Sequence, residues 1–241
     1  MSACLAVNTA VAAEAGKFIL GTGTEDQVFT GAWERMVYVE AFRRLGVPLE
    51  IVVAPLKRLE LMLERGEIDG ETMRGPVYGR LHPQLIPVEL PGVPSYYSLY
   101  ALRPVPGLTG VDDLRGGKFR GSYRRGVLFC QSLLKPLLLP QGLAAVTTVK
   151  QAIDMLVVDH TDFFCDVNLG VWNHEYSPQQ GQGGPRLYKL FDVSGPVFNG
   201  GYLHEKHAQF AIALTAVLKQ MDKEGLLEKY RLDAMARLQP K

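Results

Sequence analysis

Residues 66–80, which read GEIDGETMRGPVYGR, restrict the possible folds of this chain more than any other stretch. Gly66 suits the left-handed residue that follows a helix, and the residues before it place leucines at helical spacing. Ile68 then begins a predicted buried strand, which leads through Arg74 into a loop broken by glycine and proline. Helix and strand alternate in this way along the chain, so we expect an α/β fold with mainly parallel sheets.

The loop after this strand is a candidate ligand site. In an open α/β sheet, the ligand crevice lies beyond the carboxyl ends of the strands. Arg74 and Tyr78 follow the predicted strand closely, so we expect both side chains to line such a crevice. Arg80 lies further along the chain and is interpreted as a surface charge.

The composition excludes several classes of function. The chain has 241 residues, 47% hydrophobic and 21% charged, as in a soluble globular protein of one large or two small domains. Its 26 lysines and arginines balance 25 acidic residues, so no general positive field favours nucleic acid or an anionic membrane. We therefore predict no nucleic-acid partner. No apolar run approaches the ~18 residues that would span a bilayer.

The N-terminal segment, residues 1–16, is predicted to be either the remainder of a signal peptide or a disordered tail. Its small, apolar residues end in an alanine-rich run that is typical of a signal cleavage site, although a basic start is missing. Cleavage would leave a mature N-terminus at about residues 13–17, and we expect a periplasmic protein. Cys4, after two small residues, makes a lipoprotein the weaker option.

Neither the cysteines nor the histidines predict a metal site. The three cysteines have no metal-type spacing and their odd number argues against a disulfide framework, but Cys130 and Cys165 could pair in an oxidising compartment. His204 and His207 lack the spacing that places two imidazoles on one helix face beside a general base. We therefore predict no metal, no cofactor and no catalytic residues.

Two further features concern the core and the domain boundary. An apolar stripe over residues 31–45 predicts an amphipathic helix that Thr30 caps. Trp33 lies near the start of this helix, so it can belong to the core or form a wall of the crevice.

A proline- and glycine-rich cluster at residues 103–107 predicts a domain boundary.

Four segments in a fixed order carry a family resemblance: residues 63–69, 112–126, 152–162 and 214–230. The first is similar to the family's leucine-x-x-Gly-x-Ile-Asp turn, and the last to its C-terminal helices. The four segments are distributed over nearly the whole chain after residue 16. On these residues the chain resembles the periplasmic solute-binding proteins of ABC importers, of the polar-amino-acid type (bacterial extracellular solute-binding protein family 3).

The resemblance implies a type II periplasmic-binding fold, in which two α/β lobes joined by two crossing strands close over a ligand. Residues 17–103 with 192–241 would form lobe one, and residues 104–191 would form lobe two. It also implies a monomer that binds a small molecule and delivers it to the membrane subunits of an ABC importer.

The resemblance further implies roles for individual residues. In amino-acid binders an arginine after the Ile-Asp strand clamps the substrate carboxylate, and Arg74 is the preferred match. Backbone N–H groups at a helix start, here Gly126 and Val127, would add a second carboxylate contact. Asp166 would pair with the ligand ammonium. As an alternative, Arg74 pairs internally with Glu71 or Asp166 and braces the lobe.

Aromatic and basic side chains near the predicted crevice are further candidates for contact with a ligand. A tyrosine can stack on a ligand and hydrogen-bond to it, and a second arginine would add a cation. The predicted ligand contacts are Trp33, Arg74, Tyr78, Tyr97, Tyr123, Arg124, Gly126, Val127 and Asp166.

Three functions remain open at this point. The preferred one is a non-catalytic binding protein for a small polar or anionic, amino-acid-like solute. The second is an enzyme on the same fold, similar to the cyclohexadienyl dehydratases, with Glu71 or Asp166 as general acid. The third is a soluble ligand-binding partner of a sensor.

Overall fold

A computed structural model describes residues 16–92, 94–175 and 185–238. The predicted signal-peptide segment, residues 1–16, therefore lies almost entirely outside the described residues. Within the described ranges, no helix is long and apolar enough to cross a membrane. The chain forms two five-stranded sheets with helices packed against them, which confirms the predicted two-lobe α/β fold.

Strands and helices alternate along most of the chain. The first part contains β1 (Phe18–Thr22), α1 (Phe29–Leu45), β2 (Leu49–Val53), α2 (Leu56–Glu64), β3 (Gly70–Arg74), α3 (Pro76–Leu81) and β4 (Ile86–Val88). The middle part contains β5 (Tyr97–Ala101), β6 (Gly121–Arg124), α4 (Leu128–Leu134), β7 (Leu143–Val146), α5 (Val149–Val157), β8 (Phe163–Val167), α6 (Asn168–Glu175) and β9 (Tyr188–Asp192). The last part contains β10 (Gly200–Leu203), α7 (Ala208–Lys223) and α8 (Leu226–Leu238).

The first sheet, which defines lobe one, has the strand order β2-β1-β3-β10-β4. β1 pairs in parallel with β2 and β3, as helical crossovers require. β10 returns from the last part of the chain and pairs antiparallel with β3 and β4. The carboxyl ends of β1 and β3, at Thr22 and Arg74, therefore lie at the same end of this sheet.

The second sheet, which defines lobe two, has the strand order β7-β6-β8-β5-β9. β6 pairs in parallel with β7 and β8, whereas β5 is antiparallel to β8 and β9. The carboxyl ends of β6 and β8, at Arg124 and Val167, again lie together.

The chain crosses between the lobes at two points, which pair with each other through an antiparallel bridge between Ser95 and Val197. The sequence placed the first boundary at residues 103–104, which would leave β5 in lobe one. The sheet order instead places β5 in lobe two, because its backbone pairs with β8 and β9. The cluster at residues 103–107 is a turn that follows β5, and the crossing itself is the short extended segment at Ser95.

Two apolar layers hold the sheet of lobe one. Successive side chains of a strand point to opposite faces, so Leu20 enters one core while Ile19 packs against the other. The first core is completed by α1, α7 and α8. The second contains Leu59 and Leu63 of α2, which are buried as the helical spacing of the leucines predicted. Burial on both faces fixes the direction in which the strand ends point.

A disulfide joins Cys130 on α4 to Cys165 on β8, a pairing that the sequence left open. Both residues are completely buried in the core of lobe two. The cross-link ties the helix after the Gly126 loop to the strand that carries Asp166. It therefore connects two elements at the same end of the sheet of lobe two.

Replacement of both cysteines by serine is expected to lower the free energy of unfolding by about 2–4 kcal/mol, since the cross-link restricts the unfolded chain. Urea unfolding with and without dithiothreitol measures the effect. Reductant should lower the unfolding midpoint of the wild-type protein and leave that of the double variant unchanged. Equal stabilities of the two proteins without reductant would contradict the prediction.

Candidate ligand-binding site

A cleft of about 100 Å³ lies between the lobes, beyond the carboxyl ends of β1, β3, β6 and β8. Both lobes contribute walls. The polar side chains that line the cleft are those of Thr22, Thr24, Thr30, Glu34, Arg74, Tyr78, Tyr97, Arg124, Asn173 and Asn199.

Arg74, the last residue of β3, lines the cleft although only 4% of it is exposed. Its Nε donates to Oε2 of Glu71 at 2.6 Å, and its Nη2 donates to the carbonyl oxygen of Leu56 at 2.5 Å. Its Nη1 lies 3.4 Å from the carbonyl oxygen of Gly126, which belongs to lobe two. Arg74 thus has the internal carboxylate partner of the alternative interpretation, and it also faces the cleft; its contact with a ligand stays a prediction.

Tyr78 on α3 supports the same arginine. The guanidinium carbon of Arg74 lies 4.5 Å from the centroid of the Tyr78 ring, in cation–π contact. The Tyr78 hydroxyl donates to Oε1 of Glu71 at 2.7 Å, and burial together with the charge of Glu71 raises the pKa of Tyr78. Both carboxylate oxygens of Glu71 therefore accept hydrogen bonds within lobe one. Glu71 is not among the described residues that line the cleft.

Arg124 and Asp166, both predicted as ligand contacts, bind each other. Arg124 donates from Nε to Oδ2 at 2.8 Å and from Nη2 to Oδ1 at 3.0 Å, a two-point contact with a carboxylate that is 0% exposed. The parallel register of β6 and β8 aligns Tyr123 with Cys165, which brings the next residue of each strand together. Arg124 faces the cleft, and Asp166 is not among its described lining residues. The carboxylate predicted to pair with a ligand ammonium therefore already has an arginine partner.

Gly126 and Val127 form part of the cleft, but in a different way from that predicted. Gly126 has a φ of 88°, and a Cβ there would lie 2.5 Å from the Cβ of Leu56, so only glycine lets this loop approach lobe one. The Val127 N–H, predicted to bind a ligand carboxylate, donates to the carbonyl oxygen of Arg124 at 3.0 Å. The helix α4 begins only at Leu128.

Tyr97 on β5 lies at the cleft and packs face to face on Phe129, with ring centroids 4.4 Å apart. Burial, with the negative charge of Asp166 as the second cause, raises the pKa of Tyr97 to about 12. The hydroxyl therefore stays protonated at neutral pH and can donate to a polar ligand.

Trp33 and Tyr123 lie outside the cleft, in the two cores. The indole Nε1 of Trp33 is hydrogen-bonded to the carbonyl oxygen of Leu227 at 3.3 Å, which directs the ring toward α8. Tyr123 precedes Arg124 on β6, and successive strand side chains point to opposite faces, so Tyr123 turns into lobe two when Arg124 faces the cleft. Neither residue is among the described residues that line this cleft, and their contact with a ligand stays a prediction.

Glu34 on α1 is a cleft residue that the sequence analysis missed. It lines the cleft, and only 3% of it is exposed. Its Oε2 accepts hydrogen bonds from the hydroxyls of Thr22, at 2.9 Å, and of Thr72, while its Oε1 accepts one from Thr24 at 3.4 Å. Burial raises the pKa of Glu34, and the three hydroxyl donors act in the opposite direction.

The position of Glu34 along α1 was a sequence signal that this residue lies on the buried face of the helix. Thr30, Glu34 and Ala41 recur at spacings of four and seven along α1, and all three are buried. A carboxylate on the apolar face of a helix is costly unless it is paired, so its position indicates a polar partner or a site.

The start of α1 receives a hydrogen bond from the opposite lobe. The residue before the helix, Val28, offers no side-chain cap. Instead, Oδ1 of Asn173 on α6 accepts from the Thr30 N–H at 3.2 Å, and Nδ2 of Asn173 donates to the Thr30 hydroxyl. The Thr30 N–H has no partner from within the first turn of α1, so Asn173 caps this helix across the interface between the lobes.

His204 and His207 follow β10 at the amino end of β3, which is the opposite end of the sheet from the cleft. His207 Nε2 lies 2.7 Å from Oδ1 of Asp69, and Lys206 Nζ lies 2.9 Å from the same oxygen. Within the described ranges, no group of three or more His, Cys, Asp and Glu side chains is arranged to hold a metal ion.

Replacement of Arg74 by alanine is expected to destabilise the empty protein by about 3–5 kcal/mol, because it leaves the buried Glu71 carboxylate without its cation. Thermal and urea unfolding measure this. Arg43, whose contact with Glu40 lies at the surface, is the matched control, and Arg43→Ala should change stability little. An unchanged stability of the Arg74 variant would show that the Glu71 pair does not brace lobe one.

No protein-family model matches the chain. A relative described as an uncharacterized protein, from Shewanella oneidensis, is 26% identical over 204 residues, which cover 85% of this chain and 76% of that protein. Among solved structures, a histidine kinase sensor domain with similarity to periplasmic binding proteins is 16% identical with a TM-score of 0.73, over 93% of this chain and 98% of that one.

A second solved structure is the amino-acid ABC transporter substrate-binding protein AbpA of Streptococcus pneumoniae, bound to L-arginine. It is 13% identical with a TM-score of 0.71, over 94% of this chain and 97% of that one. At these identities the likeness establishes the fold, and the two sheets, the paired crossings and the shared cleft agree with it. The chain therefore has the two-lobe fold of the periplasmic binding proteins.

Proposed function

We propose that this chain is a periplasmic solute-binding protein that closes its lobes over a small, polar, amino-acid-like solute and delivers it to the membrane subunits of an ABC importer. The observation that carries the proposal is a cleft whose polar walls come from both lobes. A solute that contacts both walls favours the closed arrangement, because it binds that arrangement more tightly than the open one.

Contacts around the cleft support closure as the working motion. Asn173 of lobe two binds Thr30 of lobe one, and Arg74 of lobe one approaches the Gly126 carbonyl of lobe two. Nearby, the rings of Phe29 and Trp172 meet edge to face with centroids 4.7 Å apart. Apolar side chains also meet across the interface, since Leu169 and Trp172 of lobe two pack against the core of lobe one and Leu56 of lobe one packs against the core of lobe two.

Further observations support the solute class and the compartment. The Streptococcus pneumoniae protein of the same fold is an amino-acid transporter component bound to L-arginine. The disulfide between Cys130 and Cys165 is typical of an oxidising compartment such as the periplasm. We also propose that the protein acts as a monomer, as the resemblance to the solute-binding proteins implies.

The lyase alternative gains no support from the proposed acids. Glu71 is bound by Arg74 and Tyr78, and Asp166 is bound by Arg124. A general acid must reach the substrate, and neither carboxylate is among the described lining residues. The sensor alternative is favoured by one observation, the likeness to a histidine kinase sensor domain, and it would use the same closure.

A thermal-shift screen of amino acids, small carboxylic acids, amines and sugars tests solute binding. A ligand that binds only the folded state should raise the melting temperature in proportion to the logarithm of its concentration. Uptake of the identified solute by cells with and without the gene then separates import from sensing. The binding proposal is wrong if no compound in these classes shifts the melting temperature.

Replacement of Asn173 by alanine is expected to weaken binding of the screened solute by about 5–30-fold, because closure loses the hydrogen bonds to Thr30. Calorimetry measures the affinity, and small-angle X-ray scattering should show a larger radius of gyration for the variant without solute. Gln220, whose side chain donates to Glu224 on the surface, serves as the control, and Gln220→Ala should leave both quantities unchanged. An Asn173 variant with wild-type affinity and radius would remove this contact from the closing mechanism.

A further inference from the structure

The carboxylates around the cleft differ in their partners. Glu71 is bound by Arg74, and Asp166 is bound by Arg124. Each of these pairs is nearly neutral as a unit, so neither leaves a free negative charge for a ligand. Glu34 also lies at the cleft, and no cation of the described residues forms an ion pair with it.

The hydrogen bonds of Glu34 leave one of its oxygens weakly satisfied. Oε2 accepts from two hydroxyls, those of Thr22 and Thr72, whereas Oε1 has one long contact, 3.4 Å, with the hydroxyl of Thr24. A carboxylate can accept about four hydrogen bonds, so Oε1 retains acceptor capacity. Thr24 also lines the cleft, and the unused capacity therefore lies where a solute would sit.

We propose that Glu34 binds an ammonium group of the solute, and that the cleft therefore selects small amines such as amino acids over the corresponding acids without an amine. This inference rests on the proposed solute-binding function. It assigns to Glu34, in lobe one, the ammonium contact that the family resemblance implied for Asp166, in lobe two. An ammonium supplies up to three donors and a positive charge, which matches an unpaired, partly satisfied carboxylate.

The proposal has a consequence for pH. Burial raises the pKa of Glu34, so the empty carboxyl retains a proton to a higher pH than an exposed glutamate does. An ammonium prefers the ionised form, so binding releases that proton to solvent. Affinity for an amine is therefore full above the raised pKa and is lost as the pH falls through it.

The other titratable and charged groups that face the cleft are accounted for. They are Arg74 on β3 and Arg124 on β6, each held by a carboxylate, and Tyr78 on α3 and Tyr97 on β5, whose pKa values are raised. Tyr38 on α1 does not line the cleft, but burial and the nearby charge of Glu34 raise its pKa, and its hydroxyl donates to the carbonyl oxygen of Thr72. The three tyrosines therefore stay neutral in the acidic range. No histidine is among the described lining residues.

The experiment compares Glu34→Gln with the wild-type protein. The probes are three amino acids with their deaminated counterparts: glycine with acetate, alanine with propanoate, and glutamine with glutaramate. Calorimetry gives the affinity for each probe at pH 8.0 and 5.5. Glu40→Gln, the same substitution on the same helix at a surface ion pair, is the control and should bind all probes as the wild-type protein does.

Wild-type protein is expected to bind at least one amino acid at least tenfold more tightly than its deaminated counterpart, and to bind it more weakly at pH 5.5 than at pH 8.0. Glu34→Gln should lower that preference at least tenfold and abolish the pH dependence. A merely structural role of Glu34 would weaken both members of a pair equally and leave the pH profile unchanged, which would overturn the inference.

The remaining outcomes are also decisive. If only the deaminated acids bind, the solute-binding function stands and the assignment of Glu34 is wrong. If no probe binds the wild-type protein, both the amino-acid-like solute and the role of Glu34 are overturned. Should Glu34→Gln fail to fold, the wild-type comparison decides, because equal affinities for each amino acid and its deaminated counterpart contradict the proposal.

Discussion

A buried guanidinium at the end of β3 connects the parts of this structure that form the cleft. Arg74 contacts the Glu71 carboxylate within its own strand, the carbonyl of Leu56 at the start of α2 and the carbonyl of Gly126 in the other lobe. An arginine can do this because its planar fork carries five donors in fixed directions. The loop of lobe two can reach it because Gly126 has no side chain to meet Leu56. The close approach of the two lobes at the cleft thus depends on the Arg74 guanidinium and on the lack of a side chain at Gly126.

Much of the fold could be predicted from the sequence because it depends on local patterns. The helical spacing of the leucines predicted α2, and the strand pattern after Gly66 predicted β3, at whose carboxyl end Arg74 lies. The first lobe crossing was misplaced since a proline-rich turn and a proline-rich linker have the same composition. Only the pairing of β5 with β8 and β9, a long-range property, distinguishes the two.

The site was less predictable, for reasons that particular residues illustrate. The contact between Arg124 and Asp166 follows from the register of β6 against β8, which a single sequence does not reveal. Tyr123 and Trp33 were chosen for position along the chain, but the face of the strand or helix decides whether a side chain meets the ligand or the core. Glu34 was overlooked because its three hydroxyl partners come from two separate strand regions, around Thr22 and Thr72.

The cap that Asn173 places on α1 makes one backbone amide a reporter of lobe separation. The Thr30 N–H is bonded across the interface, and Val28 supplies no substitute from within lobe one. In the proposed opening of the lobes, that amide would become exposed to solvent and could exchange its hydrogen, while amides in the middle of α1 would remain bonded within the helix. The exchange rate at this single position therefore measures how often the empty protein opens, without any ligand and without a label.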